Sequence, residues 1–574
     1  MNTRYKIEGI SRVSLFLALM AVAALGLWAA SFFLGNAVDP SQQVNVRSRR
    51  EKTPGSVEKT DKNRQFRRPP RVAASRGYGE RSASVRAGEE PALQEKGEQI
   101  EPDPANPDLI EDEFILSFGS KAERQRFLEM AEDEGFAVLA VSKLGNSARV
   151  RADTRDGLER LLASSGMKVK YSSNYYALTP QPLDSSPFVE QGLYTGFGAN
   201  AADWLGVRRD NEKWGQGATV AVLDTAITEH PLLKHAQIER ISLLSEADQN
   251  GKNAGHGTAV ASLIAGRGEG FQSVVPASGI LGIEVAGPEG VGDAFTLAEG
   301  IVEAADRGAE VINISLGTYG DVFILQEAVS YAVRRGSVIV AAAGNDAFDQ
   351  LSFPARYEDV VAVSGVDSGG RKLPFVNEGT QMDLAAPAAA IAAAGLQDEK
   401  MLFSGTSAAA PFVSGLIAYL MAEEGVSGRD AVEILKAHSN DAGRPGADPV
   451  YGEGILNAER VLRRKQKNVY DAALSGIYVE QSGSENKFSI NVAAENRGTE
   501  AVEHLKVQVS VDGVSKVYSF NSVKPGQTVI AKVPVDFSNG DSSLDITGSV
   551  DIPGHDDIDT RNNMRRSVML PVTE

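Results

Sequence analysis

The sequence predicts an α/β protein: a parallel-sheet domain, preceded by a smaller α+β unit and followed by an all-β, Ig-like sandwich. Three observations predict it. Between residues 195 and 465, short and nearly continuous apolar runs alternate with helix-patterned segments. Buried strands alternating with helices imply a parallel sheet covered on both faces. Residues 111–179 run strand, helix, strand, strand, helix, strand, the order of a split βαβ unit. From 471 to 572 the pattern changes to period-two alternation broken by turn pairs, which reads as an antiparallel sandwich.

The elements follow in chain order. Arg4, Lys6 and Arg12 precede an uncharged run, residues 13–35. Leu15 to Leu34 alone would make a helix of about 30 Å, the thickness of a bilayer core. Residues 1–12 then read as a cytoplasmic flank and 13–35 as a signal anchor, or as a long signal peptide, since Gly35-Asn36-Ala37 offers a small-residue cleavage site. Positive charge before the run favours the rest of the chain lying outside the cytoplasm. Residues 36–110 are basic up to Arg86 and acidic after Glu89, without apolar periodicity, and read as a disordered linker.

In 111–179 a strand at Phe114–Ser117 leads to a charged helix from Lys121 to Glu134. Strands at Phe136–Val141 and Ala148–Ala152, a helix at Thr154–Ala163 and a strand at Met167–Ser172 complete a ferredoxin-like order. In the middle domain the apolar runs are Ala218–Leu223, Val311–Leu316, Ser337–Ala343 and Val360–Val366. Helical segments at Leu297–Arg307 and Leu325–Arg335 each end next to a glycine. In the last domain, alternating runs are separated by Asp512-Gly513, Pro525-Gly526 and Asn539-Gly540.

Composition narrows the chemistry. The chain has no cysteine, which excludes disulfides, thiolate zinc sites and cysteine nucleophiles. Its net charge of −18 argues against a dedicated nucleic-acid binder. Sites in open parallel sheets form at the carboxyl ends of the strands, where Asp224 and Asn345 fall. Each candidate alone has an ordinary structural explanation. Asp224 suits a turn or cap, His256 opens a helical pattern, Ser407 suits a helix N-cap, and Asn345 ends Ala341-Ala-Ala-Gly-Asn. Together they supply a serine hydroxyl, the imidazole base it needs at neutral pH, a carboxylate to hold the imidazole, and an amide donor for an oxyanion.

In that order the blocks resemble the subtilisin-like serine proteases. The likeness covers roughly Trp204 to Leu462: Leu223-Asp-Thr225, Gly255-His-Gly-Thr258, Ser315-Leu-Gly317, Ala342-Ala-Gly-Asn345, Gly405-Thr-Ser407 through Pro411, and Tyr451-Gly-Glu-Gly-Ile-Leu-Asn457. The resemblance implies a serine endopeptidase with an Asp224–His256–Ser407 triad and Asn345 in the oxyanion hole. It implies substrate-pairing rails at Gly287, Gly290 and Gly292 and at Ser315, Leu316 and Gly317, with Ala342 and Gly344 bordering the specificity pocket. It also places a cis proline at Phe353-Pro354. Ala226, Ala259, Ala408 and Phe412 depart from the usual residues, and none of these changes removes a catalytic atom. No cofactor is expected, and calcium stays open. The partners implied are a protein or peptide substrate, the chain's own propeptide and the membrane, with no nucleic acid.

The unit at 111–179 resembles the inhibitory propeptides of these proteases, with Tyr175–Thr179 as its blocking tail. The last domain resembles CARDB-type adhesion modules. The resulting expectation is a membrane-anchored zymogen in a bacterial cell envelope that cuts itself between about Tyr176 and Asn200, so that maturation releases it. The alternative is an inactive envelope adhesion or scaffold protein with a protease fold.

Overall fold

The computed structural model describes residues 41–45, 108–179, 194–244, 253–481, 487–536 and 544–570. The apolar run at 13–35 and most of the 36–110 stretch lie outside the described residues. No helix among the described residues is long and apolar enough to cross a membrane.

The first unit contains β1 (Leu109–Phe118), α1 (Lys121–Asp133), β2 (Ala137–Val141), β3 (Ser147–Arg151), α2 (Arg155–Ser165) and β4 (Val169–Leu178). Its strands pair antiparallel in the order β4-β1-β3-β2. Alternation along β1 gives the sheet two buried faces. Phe114, Leu116 and Phe118 cluster with Phe127 of α1 and Leu158 of α2. Ile115, together with Tyr175 and Ala177 of β4, joins a core cluster of the next domain. The final strand runs to Leu178, six residues beyond the sequence expectation, because its end is paired by the neighbouring domain.

The second domain is built on β5 (Thr219–Asp224), β6 (Gln237–Ser242), β7 (Gly279–Glu284), β9 (Val311–Ile314), β10 (Val338–Ala342), β11 (Val360–Val366) and β12 (Leu384–Pro387). They form a seven-stranded parallel sheet in the order β12-β11-β10-β9-β5-β7-β6. A short strand, β8 (Val291–Asp293), stands apart from it. Helices α3 (His256–Ala265), α4 (Ala294–Asp306), α5 (Phe323–Arg334) and α6 (Thr406–Glu424) cover the sheet. The two faces have separate cores: α3 and α6 pack over one, α4 and α5 over the other. Both α3 and the first half of α6 are buried on all sides, as apolar composition around the whole helix requires. The Phe353-Pro354 bond is cis.

The third domain has a three-stranded and a five-stranded sheet around one apolar core, antiparallel throughout except at one edge of the larger sheet. A buried ion pair ties it to the second domain: Arg460 Nη1 lies 2.7 Å from Glu495, and both are nearly inaccessible. One finding departs from the linker expectation. Ser41–Asn45 is a strand, parallel to Met564–Leu570 at the edge of the five-stranded sheet. A sheet edge presents unpaired N–H and C=O groups that such a segment satisfies.

Candidate active site

Asp224 ends β5 and His256 opens α3, so the sheet's carboxyl edge and a helix start bring them together. Asp224 Oδ1 is 2.8 Å from His256 Nδ1, and both residues are buried. The same oxygen accepts the Thr225 N–H at 2.7 Å. Thr225 Oγ1 in turn accepts the Gly257 N–H at 3.0 Å, pinning the start of α3 beside the end of β5. Phe403 meets the imidazole edge-to-face at 5.0 Å. His256 Nε2 is buried without a hydrogen-bond partner among the described residues.

Ser407 lies in the first turn of α6. Its hydroxyl donates to the Ser315 carbonyl at 3.1 Å rather than to His256. Ser315 answers in kind: its Oγ donates to the Ser407 carbonyl at 3.2 Å. The reason is in the sequence. Proline has no N–H, so Pro411 leaves the Ser407 carbonyl, four residues earlier, without its helical donor. Ser315 fills that role. Behind it a buried chain continues, with Asn313 Nδ2 donating to Ser315 Oγ at 3.0 Å and Ser414 Oγ donating to Asn313 Oδ1 at 2.8 Å. Such a satisfied network fixes α6 against β9.

Asn345 lies three residues past β10. Its Oδ1 accepts both the Thr406 N–H and the Thr406 hydroxyl, each at 3.1 Å. With the oxygen held from Thr406, the amide's Nδ2 is the end left to donate. A Cβ placed on Gly405 would come within 2.7 Å of that nitrogen, so the donor lies close to the backbone that carries Ser407. Gly344 N donates to Thr406 Oγ1 at 3.3 Å, and Ala342 is buried beside it.

The rails hold the chain's own tail. Strand β4 pairs antiparallel with β8 through Leu178–Val291, Ala177–Gly292 and Tyr176–Asp293. On the other side Leu178 N donates to Gly317 O at 2.8 Å and Gly317 N to Leu178 O at 3.1 Å. Thr179 N donates to Gly290 O at 2.8 Å. Gly290 has φ +77, and a Cβ there would lie 1.9 Å from Thr179 Oγ1; only glycine lets the tail come so close. At Gly320 a Cβ would meet the Tyr175 ring at 2.3 Å. Gly287 donates to Val291 O at 3.0 Å within its own hairpin and, among the described residues, makes no hydrogen bond to the tail.

Side chains lock the first unit onto this site. Asp293 caps α4 through Thr296. It also receives Arg149 Nη1 at 2.8 Å and Asn174 Nδ2 at 3.0 Å from the first unit. Glu113, almost fully buried, takes Arg149 and Arg151 at 2.7 and 2.8 Å. Burial would raise the Glu113 carboxyl, but these arginines and Asn174 outweigh it and hold it below the usual carboxylate value. Lys143 reaches Glu303 on α4 at 2.5 Å.

Sequence reasoning singled out Asp224, His256, Ser407, Asn345 and the two segments that flank the tail. It missed Thr406, which orients Asn345, and Asn313 with Ser414 behind Ser315. It also missed the cleft of about 310 Å³ beside His256, lined in part by Asn253, Leu396 and Met401. A larger cleft of about 670 Å³ lies at the junction with the third domain and is not lined by any triad residue.

Comparison with known proteins identifies the family of the second domain. The Peptidase S8 profile, described as the subtilase family, matches residues 215–454. Subtilisin Savinase of Lederbergia lenta is 34% identical over 251 residues, spanning 43% of this chain and 92% of that protein. Thermitase of Thermoactinomyces vulgaris is 34% identical over 254 residues, 43% of this chain and 90% of that protein. A solved structure of the protease domain of PatA matches at 29% identity with a TM-score of 0.41, covering 44% of this chain and 96% of that one. With the profile and relatives matched over nine-tenths of their length in agreement, the chain belongs to the subtilase family of serine proteases.

Proposed function

We propose that this chain is a serine endopeptidase made as an autoinhibited, membrane-anchored zymogen that processes itself. Asp224 holds the His256 imidazole with Nε2 directed at the nucleophile and stabilises the imidazolium once formed. His256 takes the Ser407 proton as Oγ attacks the substrate carbonyl. Asn345 Nδ2 and the Ser407 N–H receive the oxyanion. The imidazolium then protonates the leaving amine, and water, activated by the same His256, hydrolyses the acyl-enzyme. Triad roles and triad order are those of subtilisin itself, carried over residue by residue.

The observation that supports the zymogen reading best is the tail. Tyr176–Thr179 lies extended between the Gly290–Asp293 and Ser315–Gly317 segments, hydrogen-bonded on both sides. A peptide substrate would be held in the same way, so the first unit acts as an inhibitory propeptide. The anchor at 13–35 precedes that unit, so a cut after the tail severs the catalytic domain from the membrane. The third domain serves as an accessory module of the CARDB type.

The test compares wild type with Ser407→Ala in membrane and soluble fractions, with N-terminal sequencing of each. Wild type yields a soluble chain beginning between about Tyr176 and Asn200, and Ser407→Ala stays full-length at the membrane. Identical processing of the two rules out self-cleavage, and a full-length, membrane-bound active enzyme rules out release.

A further inference from the structure

Gly320 is fitted to a ring from another unit. Its φ is not in the left-handed region that Gly290 and Gly344 occupy, so its conformation makes no demand for glycine. What a side chain would meet there is Tyr175. The three atoms nearest to a Cβ built on Gly320 all belong to that ring: Cγ at 2.3 Å, Cδ1 and Cδ2 at 2.5 Å. Tyr175 lies on β4 of the first unit. An alanine at 320 would collide with the docked tail, whereas bare backbone lets the ring come into contact.

The ground under the ring is held by the second domain itself. Gly320 N donates to Thr318 Oγ1 at 3.2 Å. Thr318 exchanges both backbone hydrogen bonds with Phe353, at 3.0 and 2.8 Å. The neighbouring Tyr319 hydroxyl donates to Asp346 and accepts Asn377 Nδ2 at 2.7 Å. Across the boundary, Tyr319 N donates to Asp108 Oδ2 at 3.3 Å. The bonds within the second domain do not depend on the first unit, so the seat is formed before a ring arrives. Along the tail, side chains alternate as in any strand. Tyr175 and Ala177 are buried in the apolar cluster of the second domain, while Tyr176 and Leu178 are 40% and 39% exposed. The last backbone pair between the tail and β8 is Tyr176–Asp293. Tyr175 stands one residue past that pair, so its contact with Gly320 is made by the side chain.

We propose that Gly320 is a specificity-determining position, the floor of a seat for an aromatic side chain of a peptide substrate, and that Tyr175 fills this seat while the first unit is docked. The residue it reads lies three places before the one that faces Gly317. This deepens the serine-endopeptidase reading above and rests on it. An aromatic ring brings a large apolar area to one residue, and a preformed seat spares the cost of ordering one. Peptides with Tyr or Phe at this position are therefore bound in preference to those with a small or charged residue. The same contact makes Tyr175 an anchor of the first unit on the second domain.

The tail serves as its own probe. A fluorescently labelled peptide of residues 172–179 is titrated onto processed enzyme and read by anisotropy, alongside its Tyr175→Ala, Tyr175→Phe and Tyr176→Ala versions. Tyr175→Ala is expected to weaken binding at least about tenfold, the scale of one buried aromatic side chain. Tyr175→Phe and Tyr176→Ala are expected to cost less than about threefold. Equal binding of the parent and the Tyr175→Ala peptide overturns the proposal, and so does a Tyr175→Phe loss as large as that of alanine. Gly320→Ala enzyme is expected to bind the parent and the Tyr175→Ala peptide alike; a preference that survives in this variant contradicts the role of Gly320. The wild-type series decides alone if Gly320→Ala does not mature. For specificity, residues 172–179 followed by an alanine p-nitroanilide are offered as substrate with tyrosine or alanine at 175. Tyrosine is expected to raise kcat/KM at least about tenfold, mainly through KM, and equal values contradict the proposal. If processed wild type cuts neither peptide, the endopeptidase reading is what fails, and the anisotropy series still decides the seat at Gly320.

Discussion

Ser315 and Ser407 are joined twice, each hydroxyl donating to the other's carbonyl, at 3.1 and 3.2 Å. The pair links the segment beside the tail to the first turn of α6. Pro411 makes the arrangement necessary by withholding an N–H from the Ser407 carbonyl. Ser315 and the start of α6 are therefore held together as one hydrogen-bonded unit.

Removing the Ser315 hydroxyl tests that unit. In Ser315→Ala the Ser407 carbonyl and the Asn313 amide both lose a buried partner. Leaving buried polar groups unsatisfied costs about 1–3 kcal/mol each. Thermal unfolding of Ser315→Ala in a Ser407→Ala background is expected to show a lower Tm than the parent. An unchanged Tm would mean that the network behind the nucleophile contributes nothing to stability.

Asn345 and Thr406 separate binding from catalysis. Asn345→Ala is expected to lower kcat by about 10²–10³ with KM nearly unchanged, the loss known for this donor in subtilisin itself and carried over here. Thr406→Val removes the hydroxyl that holds Asn345 Oδ1 but keeps the backbone N–H. Its expected loss is smaller, about tenfold for one hydrogen bond. Steady-state kinetics on a peptide substrate checks both, and equal losses would contradict the orienting role of Thr406.

The first unit is joined to the second domain through a partly buried cation. Arg149 serves Glu113 and Asp293 together; Arg149→Ala takes one cationic partner from each, leaving Glu113 to Arg151 and Asn174 and Asp293 to Asn174 and Thr296. The loss is therefore below the about 3–5 kcal/mol of a fully buried pair broken on one side. The processed complex of Arg149→Ala is expected to regain peptidase activity on dilution much faster than wild type. The Glu113 carboxyl is held low by its partners, so its contribution is present above the usual carboxylate value and is lost as pH falls through the depressed one. Those partners all lie within the first unit, so it is the fold of that unit that loses stability as pH falls through the depressed value.

The junction with the third domain has the opposite pH sign. Burial, with the Glu495 charge adding to it, pushes the Asp441 carboxyl up to about 6 from a model-peptide 3.8. The folded state thus binds the extra proton between those two values, and stability falls as pH rises through that window. Asp441→Asn is expected to raise Tm at pH 7 and to flatten the change between pH 4 and 7, as read by calorimetry. A variant with the wild-type pH slope would assign that slope to another group.

Much of this was legible in the sequence, for reasons that differ by element. Strands β5, β9, β10 and β11 are buried on both faces, so they appear as unbroken apolar runs. Strand β6 is an edge, Gln-Ile-Glu-Arg-Ile-Ser, exposed at most positions, and no apolar run marks it. Asp224, His256, Ser407 and Asn345 could be found because each stands in a short block with a fixed neighbour set. Thr406 and Asn313 could not be assigned roles, because their partners lie 61 and 101 residues away and only folding joins them. Glycines at 287, 290 and 292 look alike in sequence, but Gly287 is bonded within its own hairpin while the other two meet the tail.

The most direct test of the whole account is the location of a fluorophosphonate adduct on the processed protein, mapped by mass spectrometry in wild type, His256→Ala and Ser407→Ala. The account predicts a single adduct on Ser407 in wild type, strongly reduced in His256→Ala and absent in Ser407→Ala. An unlabelled Ser407 in the processed wild type, or a label on another serine, would contradict it.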